Sequence, residues 1–74
     1  RVELMLVIGS HTSANTNHLV ELCATATKTY LVETAAEIQS FWLNGHHRVG
    51  VTSGASTADW TINEVLAKLA ILGD

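Results

Sequence analysis

Two short stretches of this 74-residue chain are crowded with hydrogen-bond donors, and neither contains Lys, Arg, Asp or Glu. Ser10–Asn17 offers the hydroxyls of Ser10, Thr12, Ser13 and Thr16 and the amides of Asn15 and Asn17. Thr52–Thr57 offers the hydroxyls of Thr52, Ser53, Ser56 and Thr57. Each stretch stands where an apolar, strand-like run gives way to a helical pattern. A helix N-terminus presents unpaired N–H groups and the positive end of its dipole, which together favour an anion. Phosphate or diphosphate is the natural guest. Neutral donors can saturate its oxygens, but the remaining counter-charge then has to come from outside these 74 residues. The same residue types also cap helices, each for about 1 kcal/mol. Pattern favours capping for Thr16 and Thr57. The density of donors in Ser10–Asn17 exceeds what one cap needs, which favours ligand binding at Ser13 and Asn15.

Other chemistries find less support. Gly9 and Gly54 build neither the dinucleotide-binding glycine fingerprint nor a P-loop, and there is no G-x-S-x-G nucleophile elbow. His46-His47 follows a helix stop with no acidic residue close in sequence, so no metal ligand set is assigned. His11 could meet a phosphate or simply be solvated, and His18 reads as a surface residue. Cys23, the lone cysteine, falls on an apolar helical face and reads as a small core residue. It leaves no internal disulfide and no CxxC motif. Trp42 and Trp60 read as packing residues near helix ends.

The elements that would hold the two loops follow from periodicity. Leu4–Ile8 is a continuous apolar run ended by Gly9-Ser10, the signature of a strand buried on both faces. Leu19, Leu22, Cys23 and Ala26 recur at helical spacing. A second strand is expected at Thr29–Val32. Thr34-Ala35-Ala36-Glu37 fits a capping box that opens a short helical connection through Ile38 to about Leu43, stopped by Asn44-Gly45. Arg48–Thr52 is the third strand. Ser56-Thr57-Ala58-Asp59 is a second capping pattern, before a helix with Ile62, Val65, Leu66, Leu69 and Leu72 on one face and Gly73 at its end. The order β-α-β-α-β-α predicts an α/β lobe: a small parallel sheet of about three strands, order 2-1-3, flanked by helices in three layers. In that order the loops leaving strands one and three meet at the topological switch point, where open α/β sheets bind ligands.

Size and composition set the limits. A chain this short makes one marginal domain, burying roughly 60% of its unfolded surface. Its residues are 47% hydrophobic and 15% charged, so disorder is not expected and surplus apolar surface should rest on something else. The first residue is Arg1, which suits a segment of a longer protein. A net charge of −3 without a basic cluster excludes the footprint of a nucleic-acid binder. The longest apolar run is too short to span a bilayer. A cytoplasmic location is the default.

Leu6-Val7-Ile8-Gly9-Ser10-His11-Thr12-Ser13-Ala14-Asn15-Thr16-Asn17-His18-Leu19, followed by Gly50-Val51-Thr52-Ser53-Gly54-Ala55-Ser56-Thr57, closely resembles the C-terminal region of the LytB/IspH family of 4-hydroxy-3-methylbut-2-enyl diphosphate reductases. The stretch from Tyr30 to Leu43 is similar to the same region. The resemblance covers essentially the whole chain and about the last quarter of a typical member. It implies an oxidoreductase of the non-mevalonate isoprenoid pathway. Such an enzyme is built of three similar α/β lobes around a 4Fe-4S cluster and takes electrons from an external donor. It reductively dehydroxylates its substrate to isopentenyl and dimethylallyl diphosphate.

By that resemblance residues 1–74 are the C-terminal substrate-clamping lobe, and Ser13, Asn15 and Ser56 hold the substrate diphosphate. Ala14 stands where many members have a second serine, His11-Thr12 replaces the commoner Lys-Asn, and Ala58 replaces a frequent proline. The cluster cysteines, phosphate-binding histidines and catalytic glutamate of the family lie upstream of this segment, and Cys23 matches none of the cluster ligands. The segment alone is therefore expected to hold no cluster and to be inactive. The alternative is a stand-alone phosphometabolite-binding α/β module without redox chemistry.

Overall fold

Five consecutive apolar residues, Leu4-Met5-Leu6-Val7-Ile8, can leave water on both faces only as the central strand of a covered sheet. The computed structural model, which describes residues 2–43, 48–54 and 57–72, places them there. Strand β1 (Leu4–Ile8) lies between β2 (Lys28–Val32) and β3 (Val49–Ser53) in a parallel sheet of order β2-β1-β3. Leu6 sits beside Tyr30 and Val51, and Ile8 beside Val32 and Ser53. Helix α1 (Ala14–Ala24) joins β1 to β2, and α2 (Asp59–Leu72) follows β3. The expected class, strand order and direction are those observed.

Side chains alternate along a strand, so Leu4, Leu6 and Ile8 share one face while Met5 and Val7 share the other. Leu6 and Ile8 form the buried core with Val32, Ile38 and Val65, and Ile62, Leu69 and Leu72 of α2 pack against it. On the opposite face Val7 is buried and α1 packs on β1 and β2. Among the described residues no helix is long and apolar enough to cross a membrane.

Four expectations change. The connection after β2 is not a capped helix but two 3₁₀ turns, Ala35–Glu37 and Ser40–Leu43. Between them Ile38 takes an extended backbone to reach the core, which interrupts any helix. Thr34 makes no side-chain cap, and the Glu37 carboxylate accepts from Glu33 N–H at 3.1 Å instead. Second, α1 starts inside the polar stretch, at Ala14, and ends before Ala26.

Third, the strip of α1 against the sheet runs through buried Thr16 and half-buried Leu19, Val20 and Cys23, leaving Leu22 56% exposed. A helix resting on two five-residue strands covers only a narrow strip, so Leu22 and Ala26 fall outside it. Finally, Trp42 packs as expected, stacked flat on Tyr30 with centroids 4.0 Å apart, but Trp60 is 64% exposed on the first turn of α2. Leu66, expected on the inner face of α2, is also exposed. The Asn44-Gly45 stop, the His46-His47 pair and Gly73 lie outside the described residues.

Candidate functional site

Parallel pairing brings the carboxyl ends of β1 and β3 together, and three hydrogen bonds fasten their exits. Gly9 N–H donates to the Val32 carbonyl at 3.0 Å, and Gly54 N–H donates to the Ile8 carbonyl at 3.1 Å. The Thr57 hydroxyl donates to that same Ile8 carbonyl at 3.0 Å. Thr57 therefore ties the second loop to the end of β1 rather than capping α2, as the sequence suggested. The two loops are neighbours, as the switch-point argument requires.

Within the first loop, Ser13 is the N-cap of α1. Its backbone is extended and its Oγ accepts from Thr16 N–H at 3.2 Å. The capping role expected of Thr16 thus belongs to Ser13, and Thr16 turns inward because the strand ends leave room there beside two glycines. Most of the other polar side chains hold a partner within the loop. Ser10 Oγ lies 2.9 Å from Thr12 Oγ1 and accepts from Thr12 N–H, and the Asn17 carboxamide donates to the His11 carbonyl at 3.1 Å.

What is left over is specific. The Ser13 hydroxyl can accept from Thr16 and still donate its own proton. The Asn15 side chain is exposed and has no partner among the described residues, nor do the N–H groups of Ala14 and Asn15, as the first turn of a helix dictates. The first turn of α1 contains no acid, whereas α2 begins with Asp59. An anion is therefore favoured at α1 and disfavoured at the start of α2. Ser56 lies outside the described residues.

The structure also assembles a group that no sequence pattern announced. His11 Nε2 lies 2.8 Å from Glu37 Oε1 and 3.9 Å from Glu33 Oε1, while His11 N–H donates to Glu33 at 3.2 Å. Their candidate ligand atoms all fall within 4.8 Å of one another. Glu33 and Glu37 lie 22 and 26 positions after His11. Only the pairing of β1 with β2 brings the exits of those strands together, so sequence spacing carries no signal of it. Burial favours the neutral acid at Glu37. It is outweighed by the hydrogen bond from Glu33 N–H and by the His11 hydrogen bond and charge, which hold the carboxyl below its ordinary value.

The described cations stand at the far end of the sheet or along α2. Lys28 opens β2, Arg48 precedes β3, and Lys68 lies nine residues into α2. Five-residue strands place Lys28 and Arg48 roughly 13 Å from the loops, beyond a Debye length at physiological salt.

The model of the family described as LytB protein matches residues 1–70. The chain belongs to the LytB family. Among curated relatives, the 4-hydroxy-3-methylbut-2-enyl diphosphate reductase of Dehalococcoides mccartyi is 60% identical over 72 residues, covering 97% of this LytB chain and 25% of its own length. That of Geobacter sulfurreducens is 48% identical over 69 residues, covering 92% and 24%. A solved structure of (E)-4-hydroxy-3-methyl-but-2-enyl diphosphate reductase, the terminal enzyme of the non-mevalonate pathway, superposes with a TM-score of 0.92 at 39% identity, over 95% of this chain and 25% of that one. The Plasmodium falciparum E-1-hydroxy-2-methyl-but-2-enyl-4-diphosphate reductase shares the fold, with a TM-score of 0.86 at 24% identity. The LytB chain spans about a quarter of the length of the relatives it matches.

Proposed function

We propose that residues 1–74 form the diphosphate-clamping lobe of a 4-hydroxy-3-methylbut-2-enyl diphosphate reductase, a cytoplasmic enzyme of isoprenoid synthesis. Ser13 and Asn15 donate from the first loop and Ser56 from the second. The observation that carries the reading is the selective use of donors in the first loop. Ser10, Thr12 and Asn17 each hold a partner within the loop, while the Asn15 carboxamide and two helix N–H groups hold none among the described residues and Ser13 keeps its own proton for a ligand. The name shared by the relatives supports a diphosphate as that anion.

This lobe binds and orients, and contributes no group to the redox step. A 4Fe-4S cluster takes several thiolates, and the chain's single cysteine, half-buried on α1, cannot furnish that set. The cluster, the residues that bind it and the electron donor's docking site belong to the other lobes, so the segment alone turns over no substrate. Replacing Asn15 by Ala in the full-length enzyme tests the reading: KM for the diphosphate substrate should rise at least tenfold. An unchanged KM refutes it.

A further inference from the structure

We infer that Thr16 is the positioning residue that sets the separation of the two donor loops, a conclusion that rests on the diphosphate reading above. Thr16 sits in the first turn of α1 between exposed Asn15 and Asn17, yet its side chain is only 2% exposed. Both strand exits press against it. A β-carbon at Gly9 would lie 2.7 Å from Thr16 Oγ1 and 2.8 Å from its Cγ2, and one at Gly54 would lie 2.9 Å from the same Oγ1. Carbon and oxygen do not approach that closely without displacement. One threonine therefore explains why the exits of β1 and β3 are both glycine.

The contact reaches the donors directly. Thr16 N–H is held by Ser13 Oγ, so any shift of Thr16 moves Ser13 through one hydrogen bond, and Asn15 rides on the same turn. On the other side Gly54 is fixed to the Ile8 carbonyl and in turn accepts from Thr57 N–H at 3.1 Å, so the second loop cannot drift away from β1 to relieve a clash. The Thr16 side chain is thus the spacer between the α1 donors and the loop that carries Ser56. A diphosphate bridging the two loops senses that spacing, because a donor moved out of reach forfeits a hydrogen bond to a charged group, roughly 10- to 100-fold in affinity.

The test is a titration of the full-length reductase with inorganic diphosphate, followed by calorimetry, alongside melting curves. Thr16→Ser, which keeps Oγ1, should bind within about threefold of wild type. Thr16→Ala and Gly54→Ala should each weaken binding by ~10- to 100-fold, the worth of one hydrogen bond to a charged group. The double variant Thr16→Ala/Gly54→Ala should recover most of the loss caused by Gly54→Ala, since the atom 2.9 Å away is gone. Unchanged affinity in both single variants overturns the inference alone. So does failure of the double variant to recover, because Thr16 would then act only as general packing. If wild-type enzyme does not bind diphosphate at all, the diphosphate reading falls and the spacer role with it.

Discussion

Ser13 carries two duties, and a short substitution series separates them. Its Oγ accepts from Thr16 N–H at 3.2 Å, at the long end of hydrogen-bonding range, and its own proton is free to reach a ligand. Ser13→Ala removes both functions. Loss of the cap should cost about 1 kcal/mol, while Ser13→Gly, which suits an N-cap backbone, should cost only a few tenths. Ser13→Asp restores a good cap but places a carboxylate where the diphosphate would sit.

Helix stability and ligand affinity should therefore rank the variants differently. Hydrogen exchange at Thr16 reads the cap: ~1 kcal/mol is about a fivefold change in the local opening constant, seen for Ala and absent for Asp. Affinity for inorganic diphosphate in the full-length enzyme reads the donor. Ala and Gly should weaken it equally, by roughly tenfold for one hydrogen bond to a charged group, and Asp should abolish it. If affinity instead follows the order of exchange protection, Ser13 acts only as a cap and the ligand role assigned to it is wrong.

Three further outcomes follow from the packing. Trp42→Ala removes the Tyr30 stack and a half-buried ring and should cost about 2 kcal/mol in urea unfolding, below the value for a fully buried Trp, whereas Trp60→Ala at a 64% exposed site should stay within about 0.5 kcal/mol. Thr57→Val should cost about 0.5–1 kcal/mol, the lower end for a hydrogen bond, because the Ile8 carbonyl keeps its bond from Gly54 N–H. Glu37 is held below the ordinary carboxylate range, so the unfolded chain takes up its proton first as pH falls. Its contribution is complete above roughly pH 4.5 and disappears as pH drops through the lower folded value. Glu37→Gln should flatten that part of the acid limb of stability, and an unchanged limb would show that the Glu37 contacts with Glu33 N–H and His11 carry no weight.

The strands and their order were legible because a doubly buried central strand leaves an unbroken apolar run, and Leu4–Ile8 is one. The second connection was not, because a capping pattern such as Thr34–Glu37 reports local preference only. Burial of Ile38 and the reach of Glu37 toward His11 and Glu33 are tertiary demands that override it. The same limit misassigned the caps. Ser13, Thr16 and Thr57 are chemically near-equivalent in sequence. Which one caps, which one packs and which one ties two loops together depends on where Gly9, Gly54 and the Ile8 carbonyl stand. The His11–Glu33–Glu37 group was invisible for a related reason, since strand pairing and not sequence spacing creates it.

The charge distribution makes one demand on the isolated segment. The donors assigned to the diphosphate are neutral, the dipole of α1 is worth about 0.3–1 kcal/mol, and Lys28 and Arg48 stand at the far end of the sheet. Two carboxylates, Glu33 and Glu37, flank the first loop on its β2 side, and Glu33 already occupies the His11 N–H. Hydrogen bonds to a charged group give about 1.5–3 kcal/mol each, and association costs at least 4 kcal/mol of lost freedom. Donors at Ser13, Asn15 and Ser56, together with the dipole, supply at most about 10 kcal/mol and leave a net of about 6 kcal/mol or less, equivalent to a Kd of roughly 40 μM or weaker. The isolated 74-residue chain should therefore bind inorganic diphosphate at tens of micromolar at best, with affinity rising steeply when the other lobes supply cations. Binding tighter than about 10 μM by the chain alone would mean that its neutral loops suffice. The stand-alone phosphometabolite module, and not a lobe that shares its site, would then be the better description.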